Sequence, residues 1–408
     1  MSKDQRVDRP PAVVAGAYQT GVVLMRNLSR RKVETYCIDC DGSQQGFRTV
    51  YGKGYLCPNP DTHPAEWETF MIELAKNLRR KPVLIASADQ FVTAIADHAA
   101  ALEPHYIFRA ATAATQALLA TKKRQYEIAE VNGLPVPKTR LVESIDALRK
   151  FAAEARFPCL IKPVHFREWE KLAAGHPLLN QKTALASSRS ELEAVYRSVE
   201  SITPAVVAQE IIEGPDDAKL VYLSCYGRGG KRLGSCMVRE LRTTPIYFGS
   251  ASVVEPVSEP EVEELCDRFF QAIRYEGLCE LELKRDSRDG RVKLIEANPR
   301  YSVTADAAPY AGVDLGWLHY LDLLGEPVEP ARWNGRHFHH IVLSRDVNCY
   351  RHYLDAGLTT WRGIFRTYKS AKFFDFDLRD WRLSAATIVY LLKVLLYPTY
   401  RRVFRKRG

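Results

Sequence analysis

Residues 278–285 alternate between apolar and polar positions. Cys279, Leu281 and Leu283 fall on one side of a two-residue period, and Glu280, Glu282 and Lys284 on the other. The turn-forming run Asp286-Ser287-Arg288-Asp289-Gly290 follows, and residues 291–298 read as a return strand, so the pattern predicts a β-hairpin with one face in a core. Upstream, short apolar runs alternate with amphipathic stretches. Residues 11–16 (PAVVAG) read as a buried strand, 16–21 as a turn, 22–30 as a helix and 33–39 as a second strand. Residues 82–87 (PVLIAS) form another buried strand, with Asp89 capping a helix that runs to about residue 101. Such alternation predicts a parallel sheet.

Further along, residues 112–132 read as one long helix carrying Lys122, Lys123 and Arg124, closed by Gly133 and a Leu-Pro-Val-Pro linker. Ser144 caps a helix to about residue 156, and 157–164 (FPCLIKPV) is an apolar strand. Ser190 and Glu193 form a capping box for a helix to about residue 199, and 205–212 (AVVAQEII) is the next strand. Residues 220–226 and 233–241 pair as a second hairpin around Gly227-Arg228-Gly229-Gly230. Ser258 and Glu261 make a capping box for the helix 261–275, which Gly277 terminates.

The first hairpin carries the chemistry. With its turn centred near Asp289, Glu282 lies opposite Glu296, and Glu296 shares a face with Asn298. Opposed Cβ atoms in an antiparallel pair are roughly 4.5 to 5.5 Å apart, and like charges there repel unless a cation lies between them. Two carboxylates and an amide oxygen suit Mg²⁺, which completes its shell with water and substrate phosphates. The alternative is a solvated acidic strand edge. Pro299 ends the strand, and Arg300 sets a guanidinium beside the carboxylates, where it can hold a phosphoryl or acyl phosphate oxygen. Lys162, inside an apolar strand, is costly unless its ammonium reaches an anion, so it reads as a phosphate ligand.

The pattern of Glu282, a hairpin and then Glu296-x-Asn298-Pro299-Arg300 resembles the magnesium site of ATP-grasp ligases, and the likeness extends from about residue 12 to about residue 327. It implies a Rossmann-like domain whose loops bind a carboxylate substrate, followed by a two-subdomain ATP-binding fold. It implies one ATP lysine at Lys122 or Lys123, undecided between them, and a second at Lys162. It implies adenine contacts at Gln209, Glu210 and Ile212, and a ribose acid at Asp216 or Asp217, of which Asp217 is carried forward. Arg239 and Arg242 match residues that approach the phosphates or the acyl intermediate, with a solvated strand end as the other reading. One departure stands out. Where many members carry a glycine-rich phosphate flap, residues 165–183 hold only Gly175, and a longer lid with Arg167, Lys171 and Lys182 would have to serve.

Composition narrows the rest. The 408 residues, 46% hydrophobic and 26% charged, fit two or three ordinary domains. The net charge of +9 includes a C-terminal cluster of Arg401, Arg402, Arg405, Lys406 and Arg407, but no nucleic-acid motif accompanies it. Nine cysteines lie mostly in apolar runs, as reduced thiols do, and the Cys37-Ile-Asp-Cys40 pair reads as structural. The N-terminus lacks the apolar region of a secretory signal, which predicts a cytoplasmic protein. The run His337-Phe338-His339-His340 has no second metal-ligand cluster beside it. Residues 385–397 are apolar but shorter than the ~20 needed to span a bilayer. With Trp381 before them and five basic residues after, they read as a structural helix or as a peripheral contact with anionic lipid.

These readings converge on an α/β protein with an α+β catalytic part. Residues 1–111 form the Rossmann-like domain, 112–330 the ATP-grasp domain (subdomains about 134–215 and 216–330), and 331–408 a C-terminal extension. The resemblance implies an ATP-dependent ligase using Mg²⁺, for which Mn²⁺ can substitute, that joins a small-molecule carboxylate to an amine through an acyl phosphate. Arg300 and Arg242 would act on the oxyanion. An acceptor thiol, hydroxyl or bicarbonate, and a non-catalytic nucleotide-binding protein, are the alternatives. The substrates and the oligomeric state stay open.

Overall fold

The computed structural model describes residues 9–404 except Ala120, 165–167, Asn180, Lys182 and Phe248; of the side chains, those of Ala111 and 395–404 also lie outside the description. Arg167 and Lys182 of the expected lid, and the basic residues of the C-terminal cluster, therefore lie outside the described side chains. The chain divides into two compact units. One comprises Met1–Leu134, Pro215–Leu283 and Glu296–Gly408, the other Pro135–Gly214 and Lys284–Ile295.

The first unit opens with a parallel sheet of β1 (Ala12–Ala15), β2 (Thr35–Asp39), β3 (Lys53–Leu56) and β4 (Val83–Ala86), in the order β3-β2-β1-β4. All four residues of β1 are fully buried, which is why that stretch is apolar without alternation. The turn after β1 needs both of its glycines. Gly16 has φ +113°, and a Cβ on Gly21 would lie 2.0 Å from the Gly16 carbonyl oxygen. The helix Gln19–Arg30 follows and is buried from Gln19 to Leu28.

The second unit is an antiparallel sheet of β5 (Thr139–Val142), β6 (Cys159–Pro163), β7 (Ala184–Ala186) and β8 (Val206–Glu210), in the order β5-β8-β6-β7. Helices Ile145–Glu154 and Arg189–Val199 cover it, packing Leu148, Phe151, Leu192 and Tyr196 against Ile161 and Ala208. Ser144 caps the first of these helices as the pattern predicts, accepting from the Ala147 N–H. The second starts two residues earlier than expected. Its cap is Ser188, and Glu191 reaches back to the Ser187 N–H at 2.7 Å, while Glu193 instead binds Arg149. Trp169 and Leu172 are buried in this core, so that part of the expected lid is packed down rather than free to cover a ligand.

The chain also forms an eight-stranded sheet of β9 (Lys219–Gly227), β10 (Lys231–Thr244), β11 (Ser250–Val257), β12 (Gly277–Arg285), β13 (Val292–Asn298), β14 (Ala331–Arg332), β15 (His339–Ile341) and β16 (Ala371–Phe373), which lies in the first unit except for the hairpin end of β12 and β13 from Lys284 to Ile295. Its path is β13-β12-β9-β10-β11-β15-β16, with β14 against β10. Residues beyond 330 thus extend the same sheet. The strand β11 has no counterpart in the sequence reading. The helix before β12, Pro260–Ala272, is preceded by Glu259 with no side-chain cap, so Ser258 does not cap it. Val23, Leu24 and Leu28 of the N-terminal helix share one core with Val221, Leu223, Val238 and Leu315.

The stretch expected as one helix over 112–132 is two, Ala110–Leu118 and Lys122–Val131. Gln125 accounts for the break. Its Nε2 donates to the Leu119 carbonyl at 2.7 Å, taking an acceptor that a continuous helix would use for its own ladder, and to the Ala297 carbonyl at 2.8 Å. The second helix therefore starts at Lys122, whose first-turn position points it toward the end of β13.

Candidate active site

The hairpin of β12 and β13 holds Cys279, Leu281 and Leu283 in the core, as their spacing requires. The opposite face is not solvent. Glu280 is 6% exposed and Glu282 half-buried. Asn298 Nδ2 donates to Glu280 Oε1 at 3.1 Å and to Glu282 Oε1 at 3.0 Å, so the amide dipole places its positive end between two carboxylates. The other Glu280 oxygen accepts from Ser302 Oγ at 2.6 Å. Glu296, two residues before Asn298, sits 3.2 Å from Lys122 Nζ. Lys122 rather than the exposed Lys123 is thus the lysine delivered to the cluster.

Arg300 completes this edge. Its Nε lies 2.6 Å from Asp89 Oδ1, and its Nη2 lies 3.2 Å from Asp89 Oδ2 and 3.4 Å from Asn298 Oδ1. Asp89 is the first residue of the helix Asp89–Asp97, after Ala88, and its carboxylate serves Arg300 instead of capping that helix. Beside these groups lies a polar cavity of about 320 Å³ lined by Asp61, Asp89, Gln90, Gln125, Glu296 and Asn298. It opens near the carboxyl end of β4, the place where open parallel sheets take their ligands.

The electrostatics favour a cation. Burial, then the charges of Glu280, Glu240 and Glu296, push the Glu282 carboxyl up to about 8, and Lys122 offsets only part of this. Burial also raises Glu280, against the lowering contacts of Ser302, Arg300 and Asn298. On β10, burial pushes Glu240 up to about 7 despite Lys219 at 3.5 Å. Among the described residues no three His, Cys, Asp or Glu side chains converge as a ready metal cage. The carboxylates, Glu280 and Glu282 on β12 and Glu296 on β13, offer hard oxygens from two neighbouring strands, which fits an ion that takes most of its shell from water and phosphate. Glu280 and Ser302 were not read as site residues from the sequence and Asp89 was read only as a helix cap, although the shared parity of Glu280 and Glu282 was the signal that could have found the first.

Other expected residues sit in different settings. In the second unit, Lys162 is half-buried on β6 opposite Val207. Gln209 Nε2 donates to Thr139 Oγ1 at 2.8 Å, and Glu210 Oε1 accepts from the Arg156 N–H at 2.8 Å, so both hold β8 in place. The main chain beyond them is partly used. Ile211 bonds Pro158 and Arg288, and the Glu213 carbonyl accepts from Ser287, whereas among the described residues the main chain of buried Ile212 makes no hydrogen bond. Arg288 and Lys293 at the hairpin tip both bind Asp286, at 2.7 and 2.6 Å.

In the first unit, Asp217 is exposed, while Asp216 is 4% exposed and accepts from the Tyr353 hydroxyl and the Tyr247 N–H. Arg239 pairs with Glu255 at 3.0 Å. Arg242 differs most from expectation. It is 3% exposed and grips Asp346 with Nε at 2.8 Å and Nη2 at 2.9 Å, and Nη2 also bonds Thr367. This buried fork ties β10 to the helix Leu343–Asp355 and is not presented to a substrate. The histidines near 340 diverge: His340 Nε2 lies 2.9 Å from Asp306 Oδ2, and His339 Nδ1 lies 2.7 Å from Ser370 Oγ. Cys37 is buried with its thiol pushed up to about 12, and Cys40 accepts from Gln90. Among the described residues no helix is long and apolar enough to cross a membrane.

The same architecture occurs in solved structures. N5-carboxyaminoimidazole synthetase from Staphylococcus aureus, complexed with ADP, superposes with a TM-score of 0.62 over 86% of both chains at 12% identity. L-amino acid ligase from Bacillus licheniformis gives 0.57 over 79% of this chain and 75% of its own, at 14% identity. The fold is ATP-grasp. At the sequence level, the chain is 25% identical over 272 residues to D-aspartate ligase from Enterococcus faecium, covering 64% of this chain. The match spans 63% of that relative's length. No family model matches the chain.

Proposed function

We propose that the protein is an ATP- and Mg²⁺-dependent ligase that activates a carboxylate as an acyl phosphate and transfers the acyl group to an amine. The observation that carries this reading is the cluster of Glu280, Glu282 and Asn298 beside the Lys122–Glu296 pair, at the edge of a polar cavity with Arg300 at its side. Glu282, Glu296 and Asn298 would hold Mg²⁺, whose charge, when it is bound, offsets that of the ATP phosphates. In the first unit Lys122 would neutralise phosphate oxygens, with Asp217 and Arg239 as further nucleotide contacts; in the second unit Lys162 is the phosphate lysine and Gln209, Glu210 and Ile212 are the adenine contacts.

A carboxylate oxygen attacks the γ-phosphorus and ADP departs; the amine nitrogen then attacks the acyl carbon, loses a proton, and phosphate leaves. Arg300, whose guanidinium pairs with the exposed Asp89, would serve the oxyanion in exchange for that pair. Arg242 is left out of this role because Asp346 holds it. The amine, rather than a thiol, hydroxyl or bicarbonate, is favoured by the relation to a D-aspartate ligase. The test is ADP release across a grid of carboxylates and amines, with amide product identified by mass. ADP formation that needs both partners, and that Glu296→Ala abolishes, supports the assignment; a fully active Glu296→Ala protein overturns the site.

A membrane contact is proposed separately for the helix Trp381–Phe404, on which Trp381, Ile388, Val389 and Leu392 are at least 46% exposed. Co-sedimentation with anionic vesicles that survives truncation after Pro398 and replacement of these four residues by serine would remove it.

A further inference from the structure

The net positive charge of the chain is confined to its last part. Residues 331–408 carry 16 Lys and Arg against five Asp and no Glu, a balance of +11, while the whole chain stands at +9, so the first 330 residues are slightly acidic. The five acids do little to offset this at the surface. Asp346, Asp375 and Asp380 are buried and Asp377 is held by Arg30 at 2.8 Å, which leaves Asp355 exposed. Attraction to an anionic partner is the first consequence.

The helix Trp361–Lys369 sets part of this charge beside apolar surface. Thr360 caps it, accepting from the Gly363 N–H, and its inner side is fixed: Ile364 and Thr367 are buried, and the Tyr368 hydroxyl donates to Asp346 at 2.7 Å. The outer side is bare. Trp361 and Phe365, four residues apart and so on one face, are 57% and 70% exposed, and Leu358 just before the helix is exposed as well. The Trp361 ring lies 5.9 Å from that of Tyr350 and 6.5 Å from that of Phe365, so the three rings form one patch. Arg362, Arg366 and Lys369, spaced by four and three, make the adjoining exposed face and form no ion pair among the described residues. An apolar patch rimmed by charge is the mark of an interaction surface.

The two chemistries together select the partner. A second copy of the chain, meeting this face about a twofold axis, would bring the basic residues of both copies together. A nucleic-acid backbone answers the charge and leaves the apolar patch in water. A lipid surface answers both, with anionic headgroups at Arg362, Arg366 and Lys369 and the aromatic rings at the level where the acyl chains begin. We propose that the helix Trp361–Lys369 is a docking site for an anionic lipid surface, lying in the headgroup plane with Trp361 and Phe365 turned into it. The site is separate from the contact proposed for the helix Trp381–Phe404 and does not rest on the ligase assignment.

The test is co-sedimentation of the full chain with vesicles of phosphatidylcholine alone and of phosphatidylcholine with about 30% phosphatidylglycerol. The protein partitions onto the anionic vesicles at least about tenfold more strongly than onto the neutral ones, and salt at about 0.5 M weakens the binding. Trp361→Ser/Phe365→Ser and, separately, Arg362→Glu/Arg366→Glu each lose at least about tenfold in partitioning. The charge reversal, made at exposed positions, keeps the wild-type melting curve, so its loss is not one of folding. In a chain whose Trp381, Ile388, Val389 and Leu392 are already serine, the same two double changes still lower partitioning, so the two lipid contacts fail independently. Equal partitioning onto neutral and anionic vesicles, wild-type partitioning in either double variant, or binding to single-stranded DNA and not to vesicles overturns the proposal.

Discussion

Lys122 Nζ lies 3.2 Å from Glu296 Oε2, with both side chains more than one-third exposed. A pair this open contributes little to stability, on the order of 0 to 1 kcal/mol, so its value lies in what the lysine can do once a phosphate competes for it. Lys122→Ala is expected to leave the melting temperature within about a degree and to lower kcat/KM for ATP by roughly 10- to 100-fold, the range of one lost charge-assisted contact. Lys123→Ala, at an exposed position on the same turn, is expected to stay within about twofold. Steady-state ADP release decides between them, and equal losses would show that the pair does not select Lys122.

What the sequence made visible and what it hid follow from range. Periodicity placed β1, β4, β6, β8 and the β12–β13 hairpin, because each is a local pattern of burial. The pairing of Lys122 with Glu296 depends on a helix break that Gln125 causes by bonding residues 172 positions away, and no local pattern reports that. The same limit explains Arg242. A basic residue leading into a Thr-Thr-Pro segment looked like an anion clamp, yet its partner is Asp346, 104 residues on. Glu280 was missed for a different reason: it was placed on the polar strand face with Glu282 but given no role, when both meet the amide of Asn298.

Glu280 is therefore the residue on which the cation reading can be tested most directly. Glu280→Gln preserves size and a contact to Ser302 while removing a charge. It is expected to raise the Mg²⁺ concentration needed for half-maximal turnover by about 10- to 100-fold, as groups around a metal do. Ser302→Ala, which removes the hydrogen bond to Glu280 and the acceptor of the Ala305 N–H, should show a smaller shift in the same direction. An Mg²⁺ titration of ADP release at saturating ATP measures both, and an unchanged Mg²⁺ requirement in Glu280→Gln would place Glu280 outside the site.

Arg242 and Asp346 make the opposite prediction. Both are almost fully buried, and removing one leaves the other charged and without its partner. Arg242→Ala is expected to cost about 3 to 5 kcal/mol in urea unfolding. The double change Arg242→Leu/Asp346→Leu, which removes both charges together, should recover a substantial part of that loss. If Arg242 were instead a catalytic residue, the double variant would be stable and inactive; the expected result is a stable protein that still turns over ATP.

The hairpin tip supplies the pH dependence. Asp286 has no solvent exposure, and although burial acts to raise its carboxyl, hydrogen bonds from Arg288 and Lys293 hold it below the usual carboxylate range. Because the folded protein keeps Asp286 ionised more readily than the unfolded chain does, its contribution is present above the ordinary value of 3.8 and is lost as pH falls toward the lower folded value. Asp286→Asn removes the charge at every pH and is expected to destabilise by about 1.5 to 3 kcal/mol near neutrality, the worth of a hydrogen bond to a charged group. The gap between wild type and variant should then narrow below about pH 4, where the unfolded wild-type chain takes up a proton that the folded carboxylate still resists, and stay constant above about pH 5. Urea titrations of both proteins across that range measure the gap. A gap that widened on acidification would mean that Asp286 is held protonated, and that Arg288 and Lys293 are fixed at the tip by something other than its charge.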